Sequence, residues 1–523
     1  MSFANGGAAV RMARTTKGAE AGETVVPFDP PAGGGLGARG VRASFHAVVF
    51  ATLRFLIQTA SLMLLARLLE PEDYGLVGMV ATVTGFAALF RDMGLGAATI
   101  EKADLRHDDV NEAFWLNAAA GCVLTAALAA AAPLVARFYG EPRVAGATIL
   151  SSVAFLASGA AVQHGAILRR RLKFFQLGLA ETVSSALGLV AALALAAGGA
   201  GYWSLVAMPL AQEVSTCTML WAAARWRPTR PRRPRDVRRL TRFGTGMMGI
   251  NVLSYLSSNI DRVMIGRVLG TGDLGAYGRA SALTLLPTHQ ITLPVASVML
   301  PILSRLREHP ERYREVLLAG LRLMAAATAP VVAVLIACRE WAVEVVLGPR
   351  WLPAAAVLAP LALVSATQFV PNNLGWALVV AGRFRGLIVW NLVHLAALAA
   401  SIRWGIRWGL PGVAWAYAGV VTVMRLPVLF RMVASAAPVG MGQLWSVCLP
   451  FWAVAAALGA VAAVVKARLT SLGPIWGLVA LSSGLVAVYV AALSLVPAGR
   501  DVWRDLKRVV HHLRAATPSD PMP

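Results

Sequence analysis

The chain of 523 residues is 57% hydrophobic and only 14% charged, with a mean hydropathy of +0.64. Soluble globular chains carry about a quarter charged residues, so this composition excludes an ordinary soluble protein and indicates a membrane protein. The net charge of +22 does not indicate nucleic-acid binding, because the basic residues cluster between apolar segments, as in loops beside anionic lipid.

Apolar runs of about 20 residues recur almost throughout the chain and predict an all-α polytopic membrane protein. About fourteen transmembrane helices are expected, in two six-helix lobes followed by a C-terminal helix pair. The predicted spans lie near 43–67, 75–97, 113–137, 144–167, 175–198, 202–222, 243–266, 274–303, 316–338, 354–380, 386–403, 410–432, 445–465 and 474–496. Three prolines in the eighth span, Pro287, Pro294 and Pro301, predict a kink or a break there.

The segments outside these spans complete the predicted domain organisation. Residues 1–40 are rich in Gly, Ala and Pro and are expected to form a disordered cytoplasmic tail. Between the lobes, 225–242 is a basic, Pro-rich linker, which favours an extended strap against anionic headgroups; docking of a specific partner is the alternative. The remaining predicted units are the N-terminal lobe at 41–224, the C-terminal lobe at 243–433, the extra helix pair at 434–497 and a cytoplasmic tail at 498–523.

The basic residues also predict the orientation of the chain. Lys and Arg cluster in the connections that follow even-numbered spans, such as 169–173 and 225–242, whereas the connections after odd-numbered spans are short and weakly charged. Because cytoplasmic loops carry the excess of Lys and Arg, both termini are expected to be cytoplasmic.

A repeated turn indicates an internal duplication. The segment RLLEPEDYGLVG at 67–78 recurs as RVLGTGDLGAYG at 267–278, with an arginine, a leucine, an aspartate and two glycines in register. Two similar bundles facing each other are therefore expected, and transporters often bind substrate at such a repeat interface. The loop charges place both turns on the outer side, so Arg67 and Arg267 are expected to shape the corners of the lobes.

Polar side chains at membrane depth are the candidates for function, because they are costly there unless they face a cavity or a partner. Arg54 lies near the middle of the first span, and Gln58 follows on the same helical face. An arginine offers a permanent cation whose fork suits phosphate. Arg54 is therefore expected to line a substrate cavity, with structural pairing to Glu181 or Glu213 as the alternative.

The seventh span has the longest polar stripe. Asn251, Tyr255, Ser258 and Arg262 share one side of the predicted helix, with Asp261 beside them. This pattern predicts the wall of a wet cavity, although the last two charged residues also suit the interfacial end of a helix.

Further polar positions extend this list. In the tenth span, Gln368 and Asn372 share a face that predicts cavity contacts or interhelical hydrogen bonds. Arg91 and Arg279 are candidates for the cavity mouths, with solvated helix-end anchors as the alternative.

The carboxyl groups of Glu181, Glu213 and Asp261 are candidates for proton or cation coupling. Structural pairing of each carboxylate with a cation is the alternative.

Motifs for catalysis are missing from the sequence. It contains no P-loop, no HExxH and no GxSxG, and its four cysteines show no metal-binding spacing. We therefore expect a membrane transporter rather than an enzyme, without a cofactor or a metal, driven by a gradient or by consumption of its product.

The segments 65–102 and 258–306 resemble the signature of Wzx-type polysaccharide flippases, in the multidrug/oligosaccharidyl-lipid/polysaccharide exporter superfamily. This resemblance implies a fourteen-helix fold with two lobes in a V, in the bacterial cytoplasmic membrane. It also implies translocation of undecaprenyl-diphosphate-linked oligosaccharide for O-antigen, exopolysaccharide or capsule synthesis, with membrane lipids and polysaccharide polymerase machinery as partners. Related flippases bind the diphosphate through cavity arginines, for which Arg54 and Arg262 are the candidates.

Two other classes of function remain open from the sequence. A cation-coupled small-molecule antiporter shares the superfamily fold and requires an essential buried carboxylate, for which Glu181 and Glu213 are the test positions. A membrane glycosyltransferase ordinarily carries its catalytic residues on sizeable loops, and the loops predicted here are short.

Overall fold

The computed structural model describes residues 36–505 apart from 93, 103–104, 231–236, 307, 381–383 and 496–498. Within the helices it describes the backbone only at 36–45, at 237–248, around 371–385 and at several single positions. The predicted tail at 1–40 and most of the predicted tail at 498–523 therefore lie outside the described residues.

Regular structure in these ranges is helical, which confirms the prediction of an all-α protein. The first half contains α1 (Leu36–Leu68), α2 (Pro71–Ala88), α3 (Leu95–Glu101), α4 (His107–Tyr139), α5 (Arg143–Ser152), α6 (Ala154–Arg170), α7 (Phe174–Ala197) and α8 (Tyr202–Ala224). The second half contains α9 (Val237–Val268), α10 (Thr271–Arg305), α11 (Pro310–Ala337), α12 (Arg339–Val346), α13 (Ala355–Val380), α14 (Phe384–Gly405), α15 (Gly409–Gly419), α16 (Leu426–Ala434), α17 (Met441–Arg468) and α18 (Gly473–Leu495). Short 3₁₀ turns occur at Pro349–Ala354, Ile406–Trp408 and Thr470–Leu472, and a π-helix spans Val420–Arg425.

Helix occupies each of the fourteen predicted positions, but several helices are interrupted. The second position breaks between α2 and α3, the fourth divides at Val153, and the twelfth passes through the π-helix. In contrast, α10 continues unbroken from 271 to 305 despite its prolines. Lipid offers no other partner for freed backbone groups, so a helix that loses single hydrogen bonds is preferred to an open segment. Nine helical stretches within the described ranges are long and apolar enough to cross a membrane; the count of fourteen spans stays a prediction.

The two halves pack against each other where the repeated turns lie, here called the turn end; the opposite end, where 225–236 joins the halves, is the linker end. At the turn end α2 crosses α10 so closely that a Cβ on Gly75 would lie 1.7 Å from the carbonyl oxygen of Thr271. The equivalent Cβ on Gly275 would lie 1.9 Å from the carbonyl oxygen of Pro71. Each half thus contributes a glycine and a carbonyl at equivalent positions of the repeat, as expected for a duplication.

Aromatic side chains reinforce this contact. The guanidinium of Arg279 stacks 4.2 Å from the ring centre of Tyr74, whose ring also meets Trp351 edge-on at 5.2 Å. The indole Nε1 of Trp351 donates a 2.8 Å hydrogen bond to the carbonyl of Ala66 in the other half. The halves are therefore joined at the turn end by backbone packing, a cation–π contact and a buried hydrogen bond.

The repeated arginines also cross between the halves. Arg67 donates from Nη2 to the carbonyl of Val345 at 3.0 Å, and the guanidinium of Arg267 lies 5.9 Å from the ring centre of Phe138. Both arginines therefore contact the opposite lobe at its corner, consistent with a role in shaping the lobes.

Residues 225–230, called the strap below, run without helix along the N-terminal end of α4. Asn111 accepts from the backbone N–H of Thr229 at 2.8 Å and donates to the carbonyl of Arg230 at 3.3 Å. Trp115 donates to the carbonyl of Thr229 at 2.8 Å, and Trp226 is buried. The helix α9 already begins at 237, so the non-helical connection is shorter than the predicted 225–242.

The last two long helices, α17 and α18, pack on α11 and α12 of the second lobe. Arg322 of α11 forms an ion pair with Asp505 at 2.5 Å, in which the carboxylate is almost fully buried. Lys466 forms an ion pair with Glu340, and the hydroxyl of Tyr489 donates to a carbonyl of α11 at 2.7 Å. The extra pair is thus bound to the second lobe near both ends.

Candidate functional site

The first lobe contains a cavity of about 570 Å³ between α1, α2, α3, α6, α7 and α8, called the N-lobe cavity. The structure brings together five of the sequence-predicted site residues in its lining. These are Arg54, Gln58, Arg91, Glu181 and Glu213.

The arginines of the N-lobe cavity are paired with carboxylates. Arg54 donates from Nη1 to Oε2 of Glu181, and Arg169 Nη2 lies 3.8 Å from the other oxygen of the same carboxylate. About a third of the Arg54 and Glu181 side chains remains exposed. Arg54 therefore lines the cavity, as predicted, and also pairs with Glu181, which was the predicted alternative.

A second pair lies toward α8, where Arg91 Nη1 is 3.6 Å from Glu213 Oε1. With Arg169 and Asp92, the described lining contains three arginines and three carboxylates. An anionic ligand at Arg54 or Arg91 therefore competes with a carboxylate that already stabilises the arginine.

The second lobe contains a smaller cavity of about 290 Å³ between α9, α10, α13, α14, α15 and the π-helix, called the C-lobe cavity. Four predicted residues line it: Ser258, Asp261, Arg262 and Gln368. The polar stripe of the seventh span thus lies partly on a cavity wall.

Asp261 is the most deeply buried charged residue of the C-lobe cavity, with 4% of its surface exposed. Its Oδ2 accepts a 2.6 Å hydrogen bond from the hydroxyl of Tyr277, whereas Oδ1 has no partner among the described groups. The neighbouring Arg262 makes a long contact of 3.5 Å to the side-chain oxygen of Asn259.

Buried polar atoms without partners concentrate in this cavity. Besides Asp261 Oδ1, they are Ser257 Oγ, Gln368 Oε1 and His394 Nε2 within the described part of the chain. Buried polar groups in folded proteins are nearly always hydrogen-bonded, and each exception calls for a ligand, water or strain. The cavity is therefore built to receive hydrogen-bonding partners.

Sequence reasoning missed several polar residues of the C-lobe cavity, among them His394, Tyr417 and Arg425. The signal for Arg425 was present, because an arginine inside the twelfth predicted span is as unusual as Arg54 in the first. Arg425 lies in the π-helix, which hydropathy does not reveal.

Four predicted residues lie elsewhere. Asn251 is exposed on α9 and is not part of either cavity lining. Tyr255 donates from its hydroxyl to the carbonyl of Thr82 at 2.9 Å across the lobe contact. Arg279 stacks at the turn end instead of lining a cavity mouth. The side chain of Asn372 lies outside the described residues.

A metal site does not emerge from the described residues, since no group of three or more His, Cys, Asp or Glu side chains among them is arranged to bind a metal ion. The four cysteines are free thiols.

Comparison with known proteins identifies the family. A family model described as polysaccharide biosynthesis protein matches residues 64–356, more than half of the chain. The chain belongs to the polysaccharide biosynthesis protein family. The matched region contains both copies of the repeated turn and the contact between the lobes; it begins after Arg54 and ends before Arg425.

Individual relatives in this family agree with that assignment. The chain is 28% identical to the succinoglycan biosynthesis transport protein ExoT of Rhizobium meliloti (strain 1021) over 69% of this chain and 73% of that protein. It is 27% identical to the teichuronic acid biosynthesis protein TuaB of Bacillus subtilis (strain 168), over 78% of this chain and 85% of that protein.

A solved structure shares the fold of this chain. The lipid II flippase MurJ in an inward closed conformation superposes with a TM-score of 0.67 at 11% identity. The match covers 85% of this chain and 98% of that one. The chain is therefore a multi-pass membrane protein with the MurJ fold.

Proposed function

We propose that this protein is a flippase that translocates undecaprenyl-diphosphate-linked oligosaccharide across the bacterial cytoplasmic membrane for cell-surface polysaccharide synthesis. The observation that carries the proposal is the pair of polar, arginine-bearing cavities, one in each of two lobes that join at the turn end. Membership of the polysaccharide biosynthesis family supports the class of cargo.

The physical task of a flippase explains this arrangement. The headgroup must cross about 30 Å of hydrocarbon, where an unpaired charge is very costly. Polar cavities inside the lobes replace water around the diphosphate and the sugars, while the prenyl tail stays in the bilayer and passes between the lobes. Neither step requires covalent chemistry, which agrees with a transporter rather than an enzyme.

Arg54 is the proposed first contact for the diphosphate. Its side chain is about one third exposed to the N-lobe cavity, so a phosphate oxygen reaches the guanidinium without unfolding of the helix. The phosphate then replaces Glu181 as the partner, in a charge-assisted hydrogen bond. Arg262 lines the C-lobe cavity beside the carboxylate of Asp261, so it is the weaker candidate for the diphosphate.

Alternating access follows from the contact at the turn end. With α2 and α10 packed together there, access is from the linker end, and the opposite state requires these helices to separate. The Lys and Arg clusters in the sequence support a cytoplasmic position of the linker end and of both termini. The oligosaccharide is therefore loaded from the cytoplasm and released to polymerase machinery outside.

If the protein is instead a cation-coupled antiporter, Asp261 is the coupling candidate, because one oxygen of this buried carboxylate has no partner in the described structure. Glu181 and Glu213 are weaker candidates, since each already faces an arginine. The unpartnered oxygen of Asp261 thus supports a second candidate function, a cation-coupled small-molecule antiporter. If Asp261→Asn abolishes drug efflux but the chain moves no lipid-linked oligosaccharide, the antiporter is correct.

The decisive experiment follows lipid-linked oligosaccharide across proteoliposome membranes with purified protein. Loss of a hydrogen bond to a charged group costs about 1.5–3 kcal/mol, so Arg54→Ala should slow translocation by roughly 10- to 100-fold. The control is Arg137→Ala, an exposed arginine of α4 outside both cavities. Arg54→Gln with Glu181→Gln tests the same contact without leaving a carboxylate unpaired. Translocation by both Arg54 variants at the rate of the control would refute the role of Arg54.

A further inference from the structure

The π-helix at Val420–Arg425 brings an arginine into the C-lobe cavity. Most π turns are single interruptions of α-helices and many lie at functional sites, because the wider turn changes the direction of the side chains. Here the π-helix ends at Arg425, which lines the cavity together with Tyr417 from the preceding α15.

Arg425 has no carboxylate partner among the described residues. The phenol of Tyr417 and the imidazole of His394 line the same cavity as Arg425. The carboxylate of the same cavity, Asp261, is instead bound by Tyr277 and adjoins Arg262. The described lining thus contains two arginines and one carboxylate, which favours a ligand that carries a negative charge.

The unpartnered atoms restrict what that anion is. Asp261 Oδ1 and Gln368 Oε1 accept hydrogen bonds, so they require a ligand with donors. A diphosphate diester offers acceptor oxygens alone, so it would leave both atoms without a partner. A sugar ring offers hydroxyl donors for both atoms, and a carboxylate on that ring supplies the anion for Arg425.

The size of the cavity agrees with a single sugar ring. The cavity volume of about 290 Å³ leaves room for one monosaccharide unit.

We infer that the C-lobe cavity is a binding subsite for an acidic monosaccharide unit, of the hexuronic acid type, within the transported glycan. Arg425 binds the carboxylate, Asp261 and Gln368 accept from hydroxyl groups, and Ser257 and His394 complete the contacts. This inference rests on the proposed function, because it names the class of glycan that the flippase would select.

The test measures binding of small glycosides to the full chain in lipid nanodiscs by saturation-transfer NMR. The probes are methyl glucuronide, methyl glucoside and inorganic pyrophosphate. One charge-assisted contact should give the wild type roughly tenfold tighter binding of the glucuronide than of the glucoside. Arg425→Gln should abolish this preference and leave glucoside binding within about twofold, whereas Arg431→Gln, an exposed arginine one or two turns further along, should keep it.

Equal binding of the two glycosides would overturn the inference. Displacement of the glucuronide by pyrophosphate at a similar concentration would also overturn it. Absence of binding of every probe would overturn it as well, because the cavity would then hold water alone. If Arg425→Gln does not fold, the competition with pyrophosphate on the wild type still decides.

The vesicle assay separates this inference from the proposed function. Wild type that binds glucuronide selectively but moves no lipid-linked oligosaccharide would retain the subsite and reject the flippase. Wild type that moves the lipid-linked oligosaccharide without preferring glucuronide would support the flippase and reject the subsite.

Discussion

The contact between α2 and α10 predicts that one methyl group will change the conformational equilibrium. A Cβ on Gly75 would lie 1.7 Å from the carbonyl of Thr271, so the helices must separate by about 1.7 Å to reach an ordinary contact of 3.4 Å. Overpacking of this kind costs about 1–3 kcal/mol, and 2 kcal/mol changes an equilibrium by roughly 30-fold. Gly75→Ala should therefore favour the state in which the turn end is open, and Gly275→Ala should act equally.

Spin labels can measure this opening directly. Glu70 in the first lobe and Leu352 in the second are both exposed near the turn end, and cysteines there can be labelled once the four native cysteines are replaced. Double electron–electron resonance should show longer distances for both alanine variants. The matched control is Gly278→Ala on α10, the helix of Gly275, where an added Cβ meets nothing within 4 Å.

The reasoning fails if Gly75→Ala gives the same distance distribution as Gly278→Ala. It also fails in part if Gly75→Ala and Gly275→Ala change the measured distance by very different amounts, because their reciprocal contacts require similar changes. A shift in distance without a change in translocation would mean that closure of the turn end is not part of the transport cycle.

Two further predictions concern the ion pairs that the extra helix pair and the segment after it form with the second lobe. Asp505→Ala leaves Arg322 buried without its partner and should lower the free energy of unfolding by about 3 kcal/mol. In thermal unfolding, the double variant Arg322→Ala with Asp505→Ala should lose less stability than the sum of the two single variants. Burial opposes ionisation of Glu340, but hydrogen bonds from Lys466 and the adjacent arginine lower the pKa of its carboxyl to about 2. Because the pKa of Glu340 is lower in the folded state, its ionised carboxylate stabilises the fold fully above about pH 4.5. This stabilisation is lost as the pH falls from 4.5 towards 2. Between about pH 5 and pH 3, the melting temperature should therefore fall less for Glu340→Gln than for the wild type; equal slopes would contradict the pairing.

The helices could be predicted from the sequence because lipid leaves the backbone few alternatives. Apolar runs of the right length must be helical, so each predicted span position contains helix. The interruptions could not be predicted in this way. Hydropathy is the same for an α turn and a π turn, and it gave no sign that α10 would continue through Pro287 or that the fourth position would divide at Val153.

The candidate site was predicted in part. Arg54 and Arg262 stand out in the sequence because a cation inside an apolar run is rare, and both line cavities in the structure. The same rule applied to the twelfth span would have found Arg425. The place of Arg279 could not be predicted, because its contact with Tyr74 joins two helices about 200 residues apart in the sequence.

The duplication preserved the scaffold but not the chemistry of the cavities. The glycines of the lobe contact correspond to each other, whereas the position equivalent to Arg54 is Ser254 and the position equivalent to Arg262 is Leu62. An anion that binds Arg54 in the N-lobe cavity competes with the carboxylate of Glu181, which favours weak and reversible binding. Arg425 has no such competitor among the described residues. Under the two proposals, the N-lobe cavity exchanges a group common to every cargo, and the C-lobe cavity selects the sugar.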